Sequence, residues 1–256
     1  MAHCPASTKC YPTGGAMGNA PYTSDALYHF VGRGSLGDDE KTFRILLNVL
    51  EGRCVSHPPH QVGWGVESLT ISPEFSIIGD KLVAPNIVCF CDIPLQSMEI
   101  HHSKYGRFGV GIDRSYLAQH GCRPVMYFPY APSDWGKAYG RCLIEDIEAT
   151  YRALYRVADE EDVEEYSRSM GEVPEHALMS CIEGAFSKDF LAFVKAYDYT
   201  LPKEHADCFY MEREWRRIGN VMFTEESLRK VVVPLVFRDR LLDRMPWLES
   251  KIVLLE

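Results

Sequence analysis

Two glutamates in "CFYMEREWRRI" (residues 208–218), a histidine in "LYHFVGRG" (27–34) and a tyrosine in "HHSKYGRFGVG" (101–111) have types and spacing that point to chemistry. An extended backbone turns alternate side chains to one face, so Tyr210, Glu212 and Glu214 share a side while Phe209, Met211, Arg213 and Trp215 take the other. Carboxylates so placed lie about 6 to 7 Å apart along a strand. That is close enough for one to raise the pKa of its neighbour and to serve as acid, base or stabiliser of a developing cation. The plainer alternative is an edge strand with glutamates in solvent and arginines paired across to a neighbour.

A lone histidine in an apolar strand, as His29 is, most often satisfies a core hydrogen bond. Gly32 and Gly34 alter that reading, because they let a backbone approach a ligand and flank Arg33, a cation suited to phosphate. Their spacing is neither a dinucleotide-binding nor a P-loop signature. Tyr105 offers an aromatic face to a flat heterocycle. His101 and His102 raise a third possibility, acid–base cleavage of RNA, but nothing fixes a partner for either. His57, His60, Cys89 and Cys91 with His101 or His102 can be drawn as a zinc set, without paired C-x-x-C knuckles to support it, and no cysteine is singled out as a nucleophile by a partner histidine.

The elements that must position these residues are read from periodicity. "ALYHFVG" is a strand, and "DDEKTFRILLNVLEGRCV" is a helix with Phe43, Leu46, Leu47 and Leu50 on one face and Gly52 as its stop. Residues 56–85 are turn-rich and read as a long loop with one short strand. "NIVCFCDIPL", "RFGVGID" and "PVMYFPY" read as strands. From about 133 to 204 the pattern predicts two amphipathic helices, one presenting Leu143, Ile147, Tyr151, Leu154 and Val157, the other Leu178, Ile182, Phe186, Phe190 and Phe193. The acidic run "DEEDVEE" between them reads as solvated. β character returns with "DCFYMEREWRRIGNV" (residues 207–221) and "KVVVPLVF". Strands on both sides of a helical block indicate one α+β domain, residues 24–256, with a helical insertion at about 133–204 and a disordered lead-in at 1–23.

The chain has 256 residues, 46% of them hydrophobic, enough for a sizeable core. A formal charge of −9 supplies no global field for a nucleic-acid backbone, leaving only a local strip of Arg107, Arg114, Arg213, Arg216 and Arg217 as a candidate. Nine cysteines, an odd number, do not form a disulfide framework. With no signal peptide and no run of about 18 uncharged apolar residues, the expectation is a soluble, cytoplasmic protein with no membrane partner.

The succession "LYHFVGRG", "FRILLNVLEGRC", "VCFCDIPL", "HHSKYGRFGVGID", "EREWRRI" and "KVVVPLVF" resembles the AbiGi-type abortive phage-resistance family over roughly residues 25–256. The order of a strand histidine, a middle aromatic and a late-strand glutamate is similar to the H-Y-E pattern of ADP-ribosyltransferases. That second resemblance implies a split β-sheet clamping NAD as substrate, with His29, Phe30, Gly32, Arg33 and Tyr105 around the cofactor. In E-x-E transferases the second glutamate is catalytic, here Glu214, with Glu212 orienting the acceptor or acting in its place. Stabilising the oxocarbenium ion formed on loss of nicotinamide suits such a carboxylate. The strand "VCFCDIPL" lacks the S-T-S element of one transferase branch, and Tyr116, Tyr127 and Tyr130 compete with Tyr105 for the middle position. The expected activity is ADP-ribosyl transfer to a macromolecular acceptor (protein or nucleic acid) or to water, in phage defence. The AbiGi resemblance implies an alternative, a noncatalytic antitoxin or regulatory module that binds a cognate toxin through its helical insertion.

Overall fold

The run "ALYHFV" forms β1 (Ala26–Val31), whose alternation sends Leu27 and Val31 into one apolar core and Tyr28 and Phe30 into another. The computed structural model describes residues 24–57, 60–65, 67–79, 81–131, 139–159, 180–202, 204–205 and 207–255. The expected lead-in at 1–23, Leu178 and residues 160–165 of the acidic run lie outside the described residues.

Thirteen strands are described: β1, β2 (Cys54–Val55), β3 (Leu69–Ile71), β4 (Val83–Pro85), β5 (Ile87–Cys91), β6 (Phe108–Asp113), β7 (Arg123–Pro124), β8 (Met126–Tyr130), β9 (Val194–Asp198), β10 (Glu214–Ile218), β11 (Val221–Met222), β12 (Leu228–Pro234) and β13 (Ile252–Leu255). Seven make the main sheet, in the order β13-β12-β6-β1-β5-β10-β7. All its pairings are antiparallel except β12 with β13. The mixed architecture is the expected α+β class.

The centre of the sheet is discontinuous. β1 pairs with β6 from Ala26 through Val31, and β10 pairs with β5 from Glu214 through Ile218, yet β1 and β5 share the single register pair Tyr28↔Cys91. Beyond that pair the two halves diverge. Carbonyls on the opened edge of β5 need other donors, and two imidazoles provide them: His29 Nδ1 lies 2.8 Å from the Cys89 carbonyl and His57 Nδ1 3.2 Å from that of Ile87.

Helix α1 (Asp39–Gly52) covers one face of the sheet. Asp38 caps it by accepting from the Lys41 N–H at 2.9 Å, and its apolar stripe buries Phe43, Leu46, Leu47 and Leu50 against Phe108, Val110 and Phe237. Gly52 is the last helical residue, and the left-handed stop is taken by Arg53 at φ 47°. Helices α2 (Glu99–Tyr105), α3 (Arg114–Gln119), α4 (Tyr139–Asp159) and α5 (Arg238–Arg244) complete the set described as α-helix. On β6, a Cβ at Gly111 would meet the Tyr28 ring at 2.6 Å, so only glycine lets that ring lie on the sheet.

Two expectations change in the segment read as a helical insertion. It is not all helix: after a π-helical turn at Ile182–Lys188 it enters β9, which pairs in parallel with β8. Phe193 and Val194, which were read as part of a helix, instead bury themselves with Ile182, Leu191 and Ala196. The face of α4 is also rotated from the one expected. Ile144 and Tyr151 are buried while Leu143 and Leu154 point outward, because Glu148 turns inward to accept from Ser76 Oγ at 2.6 Å and Ile77 N–H at 2.8 Å. Residues 56–85 contain two short strands, β3 and β4, paired with each other, where one was expected.

Candidate functional site

The divergence of β1 from β5 opens a cavity of about 730 Å³. The seven residues expected around NAD and at the catalytic position line it: His29, Phe30, Gly32, Arg33, Tyr105, Glu212 and Glu214. Its walls are otherwise largely apolar, with Val31, Ile45, Ile87, Val88 and Phe90 among them. An apolar cleft with a few converging polar groups is the usual form of a small-molecule site.

His29 is half-buried, with its ring edge-on to Phe90. A carbonyl only accepts, so Nδ1 carries the proton and Nε2 is left as an acceptor. Burial pushes its pKa down, against the opposing effect of the Cys89 bond, and keeps the ring neutral. The histidine therefore does for the backbone what the missing strand pairing would have done. Gly32 is fixed for a reason other than ligand approach: its φ is 119°, and a Cβ there would sit 2.7 Å from Thr42 Cγ2 on α1. Nothing crowds Gly34.

Tyr105 ends the short helix α2 rather than standing on a middle strand. Its hydroxyl donates to Glu212 Oε1 at 2.5 Å, His101 packs on its ring at 4.5 Å and the Arg33 guanidinium lies 5.5 Å from the ring centre. Of the competing tyrosines, Tyr116 donates to the Met222 carbonyl, while the Tyr127 hydroxyl accepts from the Glu214 N–H at 2.8 Å.

The glutamates do not lie on one continuous strand. Tyr210–Glu212 is a 3-10 turn, Arg213 takes a left-handed conformation at φ 46°, and β10 begins only at Glu214. What unites the carboxylates is Lys195, delivered by β9: its Nζ lies 2.6 Å from Glu214 Oε2 and 3.9 Å from Glu212 Oε2. Arg216 Nε holds the other Glu214 oxygen at 2.8 Å, and Arg216 NH1 donates to the Ala192 carbonyl at 2.8 Å.

The two acids are thereby driven apart. Burial alone would raise Glu214, but Arg216 and Lys195 outweigh it and bring the carboxyl down to about 2. Glu212 is raised by burial, with the Tyr105 bond and Lys195 opposing only in part and the Glu214 charge adding to the rise. One carboxylate is a locked anion and the other is the readily protonated member of the pair, the arrangement that separates acid and base roles.

The sequence did not single out Lys195. It sits in a run read as helical, and no local pattern marks a lysine whose partners lie 17 and 19 positions ahead.

Of the remaining candidates, His57, His60, Cys89, Cys91 and His101 also line the cavity. His101 is pushed down to about 4 by burial and by the neighbouring His102, which burial also depresses. Both pack on Phe30, at 5.3 and 5.1 Å, which suits neither to catalysis in a basic cleft. Burial raises the Cys89 and Cys91 thiols, so neither is an activated nucleophile. Among the described residues no three of the His, Cys, Asp or Glu side chains converge as a metal set. The basic strip does not form: Arg107 pairs with Asp39 at 2.6 Å, Arg114 and Arg213 with Asp92 at 2.8 and 3.4 Å, and Arg217 with Glu67 at 2.6 Å. Among the described residues no helix is long and apolar enough to cross a membrane.

No curated protein and no solved structure shows significant similarity to the chain. A family profile, described as "Putative abortive phage resistance protein AbiGi, antitoxin", matches residues 77–239. The match takes in β5, Tyr105, Lys195 and both glutamates, and spans more than half of the sequence. The chain belongs to the AbiGi family of abortive phage-resistance proteins.

Proposed function

We propose that this chain is the noncatalytic, antitoxin-like member of an abortive-infection pair and acts by binding a cognate toxin. The observation that carries the reading is the family match over residues 77–239. The chemistry of Glu214 supports it: a carboxylate 4% exposed, with Arg216 on one oxygen and Lys195 on the other, has little left to offer a developing cation. Its work is to hold the insertion to β10.

A second reading rests on the cleft. Convergence of His29, Phe30, Gly32, Arg33 and Tyr105 with the two glutamates in one cavity favours NAD as substrate and ADP-ribosyl transfer to a macromolecule. Under that reading the glycosidic bond to nicotinamide breaks, and Glu212, whose second oxygen has Lys195 no nearer than 3.9 Å, is the carboxyl nearer to availability. His29 offers Nε2 to a ribose hydroxyl.

The two readings separate in one set of measurements. The product of the adjoining gene is expressed alone and with this chain, and growth is followed. In parallel, nicotinamide release from NAD is measured for the wild type, Glu212→Gln and Glu214→Gln, with and without host lysate. Restored growth with all three proteins and no release supports the antitoxin. Release that needs lysate and is lost with Glu212→Gln supports the transferase and overturns the first reading.

A further inference from the structure

The turn that carries Glu212 into the cleft presents a different surface outward. Tyr210 and Met211, on its outer side, are 53% and 45% exposed, and Tyr199, just past the end of β9, is 55% exposed. Tyr210 stacks on Tyr197 with ring centres 5.0 Å apart and planes at 20°, and meets Tyr127 edge-on at 5.5 Å. Tyr127 is itself tied to the Glu214 backbone. The exposed ring is thus held on a fixed base, and little side-chain freedom remains to be lost when something lands on it. Tyrosine and methionine are enriched where proteins meet, and rigid aromatic anchors dominate binding energies there.

Acids outnumber bases in the segment that carries these rings. Residues 197–211 contain Asp198, Glu204 and Asp207 against a single Lys203. Asp207 is exposed, with His205 Nδ1 3.9 Å from its carboxylate, and Asp198 accepts from the Thr200 hydroxyl and N–H. Both aspartates act on the Tyr130 hydroxyl, whose pKa is raised by burial first and by these charges next. Acidic residues thus neighbour the aromatic positions in sequence, on a chain whose net charge is −9. Like charge disfavours a second copy of this chain at the same face, and disfavours nucleic acid as well.

We propose that the face formed by Tyr199, Tyr210 and Met211, with Asp198 and Asp207, is the seat of a cationic protein partner, the toxin of the antitoxin reading on which this inference rests. The rings enter an apolar recess of the partner, and the acids meet lysines or arginines around it. The seat lies on β9 and the 210–212 turn, away from α4.

The test uses the full chain and the purified product of the adjoining gene, titrated by calorimetry at low and high salt. The Tyr210→Ala/Met211→Ala double variant is expected to raise the Kd about tenfold or more. Asp207→Lys, at an exposed position, is expected to raise it about threefold and to flatten its salt dependence. A Leu143→Ala/Leu154→Ala variant on the outer face of α4 is expected to bind as wild type. Thermal melts establish that each variant is folded. Binding that Tyr210→Ala/Met211→Ala and Asp207→Lys leave unchanged overturns the seat while the antitoxin reading stands, and loss with the α4 variant instead moves the seat to that helix. A wild type that does not bind overturns both. Self-association of the chain alone that Tyr210→Ala abolishes overturns the proposal in favour of a second copy.

Discussion

Replacing Lys195 with methionine keeps the stem that fills the space beside Phe209 and removes the charge that both glutamates face. The Lys195 ammonium stands 4.2 Å from the centre of that ring and 2.6 Å from Glu214 Oε2. Taking one partner from a buried ion pair costs about 3 to 5 kcal/mol, and the low end applies because Arg216 still holds the other oxygen. The pKa of Glu214 gives the scale of what Arg216 and Lys195 contribute together, Arg216 the more. A carboxyl brought from the usual 4.5 to about 2 carries about 3 kcal/mol of native-state stabilisation, at 1.36 kcal/mol per pH unit. Because the folded value is depressed, that stabilisation is fully present above pH 4.5 and is lost as the pH falls toward 2, and about two-fifths of it remains at pH 3. Lys195→Met is therefore expected to lose about 3 kcal/mol at pH 7, a fall in Tm of roughly 6 to 12 °C for a chain of this size, and distinctly less at pH 3. Urea unfolding of wild type and variant at the two pH values measures both. A loss under about 0.5 kcal/mol at pH 7, or an equal loss at pH 3, would refute the claim that Lys195 stabilises the fold through the Glu214 charge.

Glu212→Gln should behave in the opposite way. The raised pKa means that the folded protein disfavours the charge, and glutamine keeps an acceptor for the Tyr105 hydroxyl, so stability at pH 7 should rise and the difference should vanish below about pH 4. Matched urea titrations show it. Gly32→Ala should cost about 1 to 3 kcal/mol from its positive φ and more from the contact with Thr42. Thr42→Ser should recover only the contact part, which melts of single and double variants separate. Tyr105→Phe leaves one oxygen of a buried carboxylate without its donor, and about 1 to 3 kcal/mol should be lost at pH 7.

The local elements were legible because their signals are local. The α1 stripe of Phe43, Leu46, Leu47 and Leu50 is a 3.6-residue pattern, and "VCFC" is a run of strand formers ended by Pro94. The convergence of His29, Tyr105, Glu212 and Glu214 was legible as a set of unusual residue types, although their separations span nearly 190 positions. What failed was whatever a distant partner decides. Ile144 rather than Leu143 faces inward on α4 because Glu148 is claimed by Ser76 and Ile77. Residues 194–198 become a strand because β8 lies open beside them, overriding an amphipathic pattern that also suits a helix. Glu212 departs from the strand because Arg213 adopts a left-handed backbone, which arginine rarely does and no residue type announces.

The sheet also carries a lesson about what keeps it open. A strand edge with unsatisfied carbonyls draws the nearest strand onto itself, so β1 and β5, already joined at Tyr28 and Cys91, would zip together like any hairpin pair. Two imidazole rings stand in the way, occupying the acceptors of Cys89 and Ile87 that a closing ladder would need. The cavity is in this sense a wedged seam, its opened edge capped by two side chains. A valine at position 29 would leave both strands intact and remove one of the wedges.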